Sequence, residues 1–275
     1  MKGRSSTAAP EPHDRQHRRH VPPIEAIDLS AGYNGELAIE GLSFCLEPGN
    51  RVAVVGPNGA GKTTLFKLIA GILRPTSGQL VVHGHQPGQH LCVAYVPQRS
   101  EVDWRFPATV EEVVMMGRIR QIGLLRWPLA ADWRAVRQAL EQVGMLAVRQ
   151  RQIGELSGGQ QQRVFLAQAV AQQPEIVLLD EPLSGLDVPS QAAILDILDD
   201  LEVAGVTVLV ATHDLNLAAE RFEQVLLLNR QLVAEGEPVK VLTEANLLKA
   251  YAGSVHLVGE HGRPLIADAH QEPGE

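Results

Sequence analysis

The stretch that decides the fold is GPNGAGKTT, from Gly56 to Thr64. The apolar run RVAVVGP leads into it and is typical of a buried parallel strand, whereas GKTTLFKLIAGI is typical of a helix. A glycine-rich loop between a strand and a helix offers backbone N–H groups to phosphates; the Lys62 ammonium reaches the outer phosphates, and the Thr63 hydroxyl can bind Mg²⁺. The pattern predicts a nucleotide site formed by Gly56, Pro57, Asn58, Gly59, Ala60, Gly61, Lys62, Thr63 and Thr64.

A second glycine-rich stretch, LSGGQQQR, runs from Leu156 to Arg163. It places a serine and two glycines at the start of the helix-like pattern RVFLAQAVAQQ. Backbone N–H groups and a hydroxyl at the start of a helix also suit phosphate binding. The chain therefore carries two phosphate cradles far apart in sequence, and one nucleotide would not need both.

Polar residues end three other strand-like runs. IVLLDEP carries Asp180 and Glu181, LCVAYVPQ ends on Gln98, and His213 follows the run VTVLVAT. Because α/β sheets bind ligands at the carboxyl ends of their strands, Asp180 is a candidate Mg²⁺ ligand and Glu181 a candidate base for water. Each residue alone has an ordinary alternative, since strand-end acids can be merely solvated and a lone histidine is more often structural. Together with the phosphate loop, they favour a hydrolytic site.

Composition excludes several classes of protein. The 275 residues have a formal net charge of -8, which argues against binding to a nucleic-acid backbone as the main function. Cys45 and Cys92 form no C-x-x-C pair, so neither a zinc knuckle nor a disulfide scaffold is predicted, and a reducing compartment fits best. We find no run of transmembrane length and no signal-peptide segment, and we expect a protein without its own membrane span.

The two ends of the chain differ from its middle. Residues 1–23 are polar, basic and rich in proline, and are predicted to be a disordered tail. Three histidines in this tail could bind metal ions loosely, but a solvated tail is the simpler interpretation: His13, His17 and His20. Residues 251–275 are predicted to form a loose C-terminal segment.

Three segments are predicted between these ends. Residues 24–98 alternate like antiparallel strands and then supply the phosphate-loop half of an α/β core. Residues 99–156 show helical spacing without a strand pattern, with Asp132 as a plausible N-cap, and predict an inserted helical subdomain. Residues 157–250 alternate helix and strand and contain a hairpin that turns at residues 229–230.

In their order along the chain, these motifs resemble the ATP-binding subunit of ABC transporters, from Ile24 to about Leu247. The resemblance rests on AGYNG, GPNGAGKTT, the strand-end Gln98, LSGGQ, LLDEP, SGLD and THD. It implies ATP hydrolysis with Mg²⁺, catalytic roles for Gln98, Glu181 and His213, and Mg²⁺ ligation by Thr63, Gln98 and Asp180. It also implies a RecA-like core with an N-terminal antiparallel β subdomain and an inserted helical subdomain, and stacking of Tyr33 on adenine.

The same resemblance implies why there are two cradles. In this family two copies meet head to tail, and LSGGQ of one copy binds the γ-phosphate held by the phosphate loop of the other. Such an interface is isologous and contains two equivalent ATP sites. The residues expected to act on the partner's ATP are Ser157, Gly158, Gly159, Gln160 and Asp187.

The helical insert suggests a membrane partner. Members of this family dock an integral membrane permease on the insert, which implies a peripheral position at the cytoplasmic face of the membrane. The stretch from Val96 to Arg118 contains Trp104 and Phe106, which could contact a partner helix or simply form the subdomain core. This stretch resembles the ATPases of importers for manganese, zinc or chelated iron, and such systems imply an extracytoplasmic metal-binding protein as well.

The sequence is also compatible with other functions. An importer of an iron–siderophore or an amino acid, or an exporter, would use the same ATPase motifs. A soluble ABC protein of translation or DNA repair is less favoured, because those proteins typically carry two ATPase halves or long coiled-coil inserts. A binding module without catalysis would lack the acidic pair, so Glu181 argues against it.

Overall fold

The computed structural model describes residues 23–88, 92–102, 104, 106–123 and 125–251, and the backbone of two short strands at 255–258 and 265–268. The predicted tail, with His13, His17 and His20, and most of the predicted loose segment 251–275 lie outside these residues.

The strands are β1 (Ile24–Tyr33), β2 (Glu36–Leu46), β3 (Arg51–Val55), β4 (Ser77–Val82), β5 (Val93–Val96), β6 (Ile176–Asp180), β7 (Thr207–Thr212), β8 (Gln224–Asn229), β9 (Gln231–Gly236), β10 (Val255–Val258) and β11 (Leu265–Asp268). The helices are α1 (Lys62–Ile69), α2 (Val110–Met116), α3 (Ile119–Ile122), α4 (Ala130–Gln142), α5 (Gly158–Ala171), α6 (Val188–Val203), α7 (Leu215–Arg221), α8 (Pro238–Val241) and α9 (Glu244–Tyr251).

A six-stranded sheet forms the centre of the fold, in the order β5-β6-β7-β3-β8-β9. Its strands run parallel except β9, which pairs antiparallel with β8 through the predicted hairpin. The strand β3 is apolar on both faces because both are covered: Val52 and Val54 face one buried cluster, and Ala53 and Val55 face the other.

The predicted antiparallel sheet is present on one side of this core. Its order is β2-β1-β4, and Leu65 and Phe66 of α1 are buried in the cluster shared by the two sheets. Antiparallel strands with one covered face alternate buried and exposed side chains, as β2 does. This layer holds the phosphate loop, which opens α1, against the central sheet.

The helical region lies on the other side of the central sheet. Helices α2, α4 and α5 pack against one another, and Val114, Leu140 and Leu166 are buried in one cluster with the second face of the sheet. Since α5 packs on α2 and α4, the helical region positions the start of α5, where LSGGQ lies. The division of the core at residues 156 and 157 stays a prediction.

The N-cap prediction for Asp132 is wrong. Helix α4 begins at Ala130, and Asp132 is its third residue, where the Oδ2 atom accepts a hydrogen bond from the backbone N–H of Leu129 at 2.9 Å. Its Oδ1 atom accepts from Nε and Nη2 of Arg118 at 3.2 and 3.1 Å. Arg118, fourteen residues earlier in the chain, holds the Asp132 carboxylate inside the first turn of α4. The helical spacing of apolar residues contains no information about such a partner.

Candidate functional site

The phosphate loop encloses its own cation. Lys62 is buried, and its Nζ atom donates to the backbone oxygens of Gly56 at 2.8 Å and Pro57 at 3.2 Å. Burial lowers the pKa of this ammonium, while the carboxylates of Glu181 and Asp180 act in the opposite direction. A group held in this way can turn toward the negative charge of bound phosphates, which would compensate its desolvation.

The loop can adopt this shape only with glycine at its helix start. Gly61 has φ of 95°, and a Cβ atom there would lie 2.3 Å from Cγ2 of Ile39 and 2.7 Å from the backbone oxygen of Ala38. Both the backbone conformation and the close approach of β2 therefore exclude a side chain. The first turn of α1 thus presents its free N–H groups to a cleft of about 1070 Å³.

The cleft collects most of the predicted residues. It is lined by the whole stretch from Gly56 to Thr64 and by Gln98, Glu181 and His213, together with Ala38, Asp214, Leu215, Asn216 and Tyr251. The carboxyl ends of β3, β5, β6 and β7 bring these groups together, because parallel strands end at the same edge of a sheet.

Two oxygen ligands suited to Mg²⁺, one of which lines the cleft, are hydrogen-bonded to each other. The Thr63 hydroxyl donates to Oδ2 of Asp180 at 2.6 Å, and the Tyr95 hydroxyl lies 3.5 Å from the same oxygen. Burial raises the pKa of the Asp180 carboxyl, and the hydrogen bond from Thr63 opposes that shift. A buried carboxylate beside a hydroxyl is the donor set that a hard divalent cation prefers, so Thr63 and Asp180 fit Mg²⁺.

Glu181 occupies a strained position at the end of β6. Its φ of 47° is in the left-handed region, and its backbone N–H donates to the oxygen of Ala211 at 3.0 Å. The Oε2 atom accepts from Ser184 Oγ at 2.9 Å and from Gln98 Nε2 at 3.4 Å, and lies 3.6 Å from Nδ1 of His213. The carboxylate is therefore held among three polar side chains, and it stays 16% exposed where it lines the cleft.

The second cradle lies elsewhere. Ser157 is the N-cap of α5, with its Oγ accepting from the Gln160 N–H at 3.4 Å while the Gln160 side chain accepts from the Ser157 N–H at 3.0 Å. Asp187 begins α6 without a side-chain cap hydrogen bond. None of these residues, nor Gly158 or Gly159, lines the phosphate-loop cleft. The structure therefore keeps the two cradles of one chain apart.

Tyr33 also does not line the cleft. It ends β1 and is half exposed. A role in adenine stacking stays a prediction.

Three contact residues were missed by sequence reasoning. Tyr95 and Ser184 bond to the two acids, and Arg99 follows Gln98 and extends toward α5. The Nη2 atom of Arg99 donates to Gln161 at 2.9 Å, and its guanidinium lies 5.6 Å from the ring centre of Trp104. Among these three residues, only Arg99 had a recognisable local feature, because it is a cationic residue directly after the strand-end Gln98.

A phosphate loop, a buried aspartate beside its threonine and a strained glutamate directly after that aspartate define a P-loop ATPase. Residues 39–184 match the family described as ABC transporter. The chain belongs to this family, and the predicted α/β fold is confirmed.

Several similar proteins have names that refer to metal transport. The manganese transport system ATP-binding protein MntA of Synechocystis sp. is 45% identical over 84% of this chain and 90% of the relative. The zinc transport system ATP-binding protein TroB of Treponema pallidum is 43% identical over 84% of this chain and 88% of the relative. A solved structure, described as a metal-chelate type ABC transporter facing inward, superimposes with a TM-score of 0.75 and is 32% identical, covering 84% of this chain and 89% of that one.

Proposed function

We propose that this chain hydrolyses ATP to power import of a divalent transition metal ion, manganese or zinc ahead of chelated iron. The choice of metal is suggested by the names of relatives that are more than 40% identical to this chain over most of its length. The sequence from Val96 to Arg118 is also similar to such ATPases, and within it Arg99 and Trp104 connect Gln98 to α5.

The observation that carries the ATPase mechanism is the position of Glu181 beside the phosphate loop. ATP binds with its phosphates on the N–H groups of the loop and on Lys62. Thr63 and Asp180, with the Gln98 amide, would hold Mg²⁺, which would neutralise charge on the outer phosphates. Glu181 accepts a proton from the attacking water, while Ser184 holds its carboxylate in place and His213 stabilises the charge that develops nearby.

A second copy completes each site. Since Ser157 and Gly159 do not reach the cleft of their own chain, they are available for the γ-phosphate on a partner's loop, together with Gly158, Gln160 and Asp187. ATP would then join two chains head to tail, and hydrolysis would release them.

The remaining partners follow from transport. Within the described residues, no helix is long and apolar enough to cross a membrane. An integral membrane permease would dock at the helical subdomain and hold the chain at the cytoplasmic face of the membrane. An extracytoplasmic metal-binding protein would deliver the substrate, and nucleic acid has no part in the cycle.

The test is to delete the protein in its host and to measure cellular manganese, zinc and iron under limitation of each. We expect loss of manganese or zinc uptake that the intact gene restores and the Glu181→Gln variant does not. Normal uptake of all three metals, with loss of an iron–siderophore or another organic solute, would refute the metal assignment and leave the ATPase mechanism standing. Loss of the export of a solute, with normal uptake of all three metals, would likewise refute metal import and leave the ATPase mechanism standing.

A further inference from the structure

One surface of the helical region is both apolar and basic. Between the end of α2 and the start of α4 several large apolar side chains are exposed to water: Met116, Ile119, Leu125, Trp127 and Leu129. Leu125 is 96% exposed and Trp127 89%, so these two project from the protein instead of resting in a groove. Single exposed apolar residues are common, but a cluster of this kind marks an interaction surface.

The charge of the same region is unlike that of the whole chain. From 113 to 140 the only acidic residue is Asp132, which is buried and paired with Arg118. Four exposed arginines accompany the apolar side chains: Arg120, Arg126, Arg134 and Arg137. In a protein with a net charge of -8, this surface is locally cationic, and an anionic partner complements it.

The Asp132 carboxylate binds residues on both sides of the exposed Leu125 and Trp127. Asp132 accepts from the Arg118 side chain through Oδ1 and from the Leu129 backbone through Oδ2. Asp132 thereby ties Arg118 to Leu129, and these two residues flank the exposed Leu125 and Trp127. Preorganisation of this kind lowers the entropic cost of an interaction.

We propose that this surface, residues 116–123 and 125–137, contacts an anionic lipid bilayer, with Leu125 and Trp127 inserted among the headgroups. Tryptophan and leucine favour the boundary between headgroups and acyl chains, and arginines near them are attracted to anionic lipids. Side chains that project almost completely suit a fluid interface, whereas a protein partner would require matching pockets. The contact adds to docking on a permease and does not depend on which substrate is transported.

The probe is a set of lipid vesicles without any permease. The purified full-length chain is mixed with vesicles of phosphatidylcholine alone, or of phosphatidylcholine with phosphatidylglycerol, and the bound fraction is measured by flotation at low and high salt. We expect binding to the anionic vesicles that is at least about tenfold stronger than binding to the neutral ones, and that weakens with salt.

Matched variants separate the two parts of the surface. Leu125→Ser with Trp127→Ser should weaken binding to anionic vesicles at least about tenfold, whereas Val203→Ser with Val239→Ser, at two equally exposed sites elsewhere, should not. Arg126→Glu should weaken binding about tenfold at low salt, and Arg74→Glu, at another exposed arginine, should have little effect. Unchanged ATP hydrolysis would show that the variants are folded.

Two results would overturn the proposal. Absence of binding to either kind of vesicle, with binding only to membranes that contain the permease, would assign this surface to the permease. Equal binding by the Leu125→Ser, Trp127→Ser chain and by its control would show that lipid is bound elsewhere. Because no transported substrate is present, neither result bears on the proposed metal import.

Discussion

Replacement of Glu181 by glutamine tests the catalytic mechanism most directly. The contacts of this side chain are a hydrogen bond of 2.9 Å from Ser184, one of 3.4 Å from Gln98, and a separation of 3.6 Å from His213. A glutamine has the same shape and keeps one acceptor oxygen, so the Ser184 bond can persist. Structural loss should then be limited to one weakened hydrogen bond, about 1 kcal/mol.

The chemical loss should be much larger. A positioned general base contributes roughly 10²–10⁴-fold to a rate, which equals about 3–5 kcal/mol of activation free energy. We expect Glu181→Gln to lower kcat for ATP hydrolysis by that factor while changing ATP affinity less than about fivefold. Single-turnover hydrolysis gives the rate, nucleotide titration gives the affinity, and size-exclusion chromatography with ATP and Mg²⁺ should show a stable dimer.

A second variant separates the chemical role of the Glu181 carboxylate from its orientation by Ser184. Ser184→Ala keeps the base but removes the 2.9 Å hydrogen bond that orients it, and we expect kcat to fall only about fivefold to tenfold. Hydrolysis near the wild-type rate by Glu181→Gln would remove this residue from the role of base. A loss of ATP binding equal to the loss of rate would assign it a structural role instead.

The remaining predictions concern binding, assembly and stability. Lys62→Ala should weaken ATP binding about 10- to 100-fold through loss of the point charge on the phosphates, measured by titration; an unchanged affinity would contradict the phosphate-loop assignment. Mixing a Lys62→Ala chain with a Ser157→Arg chain should restore part of the ATPase activity, because the mixed dimer has both substitutions in one composite site and an intact second site. Cysteine crosslinks between position 157 and the phosphate loop that form only within single chains would exclude head-to-tail assembly. Asp132→Ala should lower the free energy of unfolding by about 3 kcal/mol in urea titration, since Arg118 loses a buried partner but keeps the Ala171 oxygen; a loss below about 1 kcal/mol would show that the pair contributes little.

Much of the architecture could be predicted because its causes are local. The loop from Gly56 to Thr64 requires a strand before it and a helix after it, and both are present as β3 and α1. Alternation along β1 and β2 predicted the antiparallel sheet, and the turn at residues 229–230 predicted the β8–β9 hairpin. These features depend on residues within a few positions of one another, so a periodic pattern contains them.

The contacts around the candidate site could be predicted only in part. The strand ends marked Gln98, Asp180 and Glu181, yet no local pattern indicated that Tyr95 and Ser184 would bond to the two acids. Those contacts exist because β5 lies next to β6 in the sheet and because the chain turns sharply after Glu181.

By itself, the sequence determined the phosphate loop, most strands and most helices of this protein, and the order of its motifs; it did not indicate the paired strands β10 and β11. Only the tertiary structure decided that Asp132 would pair with Arg118, that Arg99 would reach α5, and that Ser157 would stay outside its own chain's cleft. The physical reason is distance along the chain. Hydrogen bonds within one turn or one strand pair follow from neighbouring residues, whereas contacts between remote segments form only when burial of the sheet faces brings those segments together.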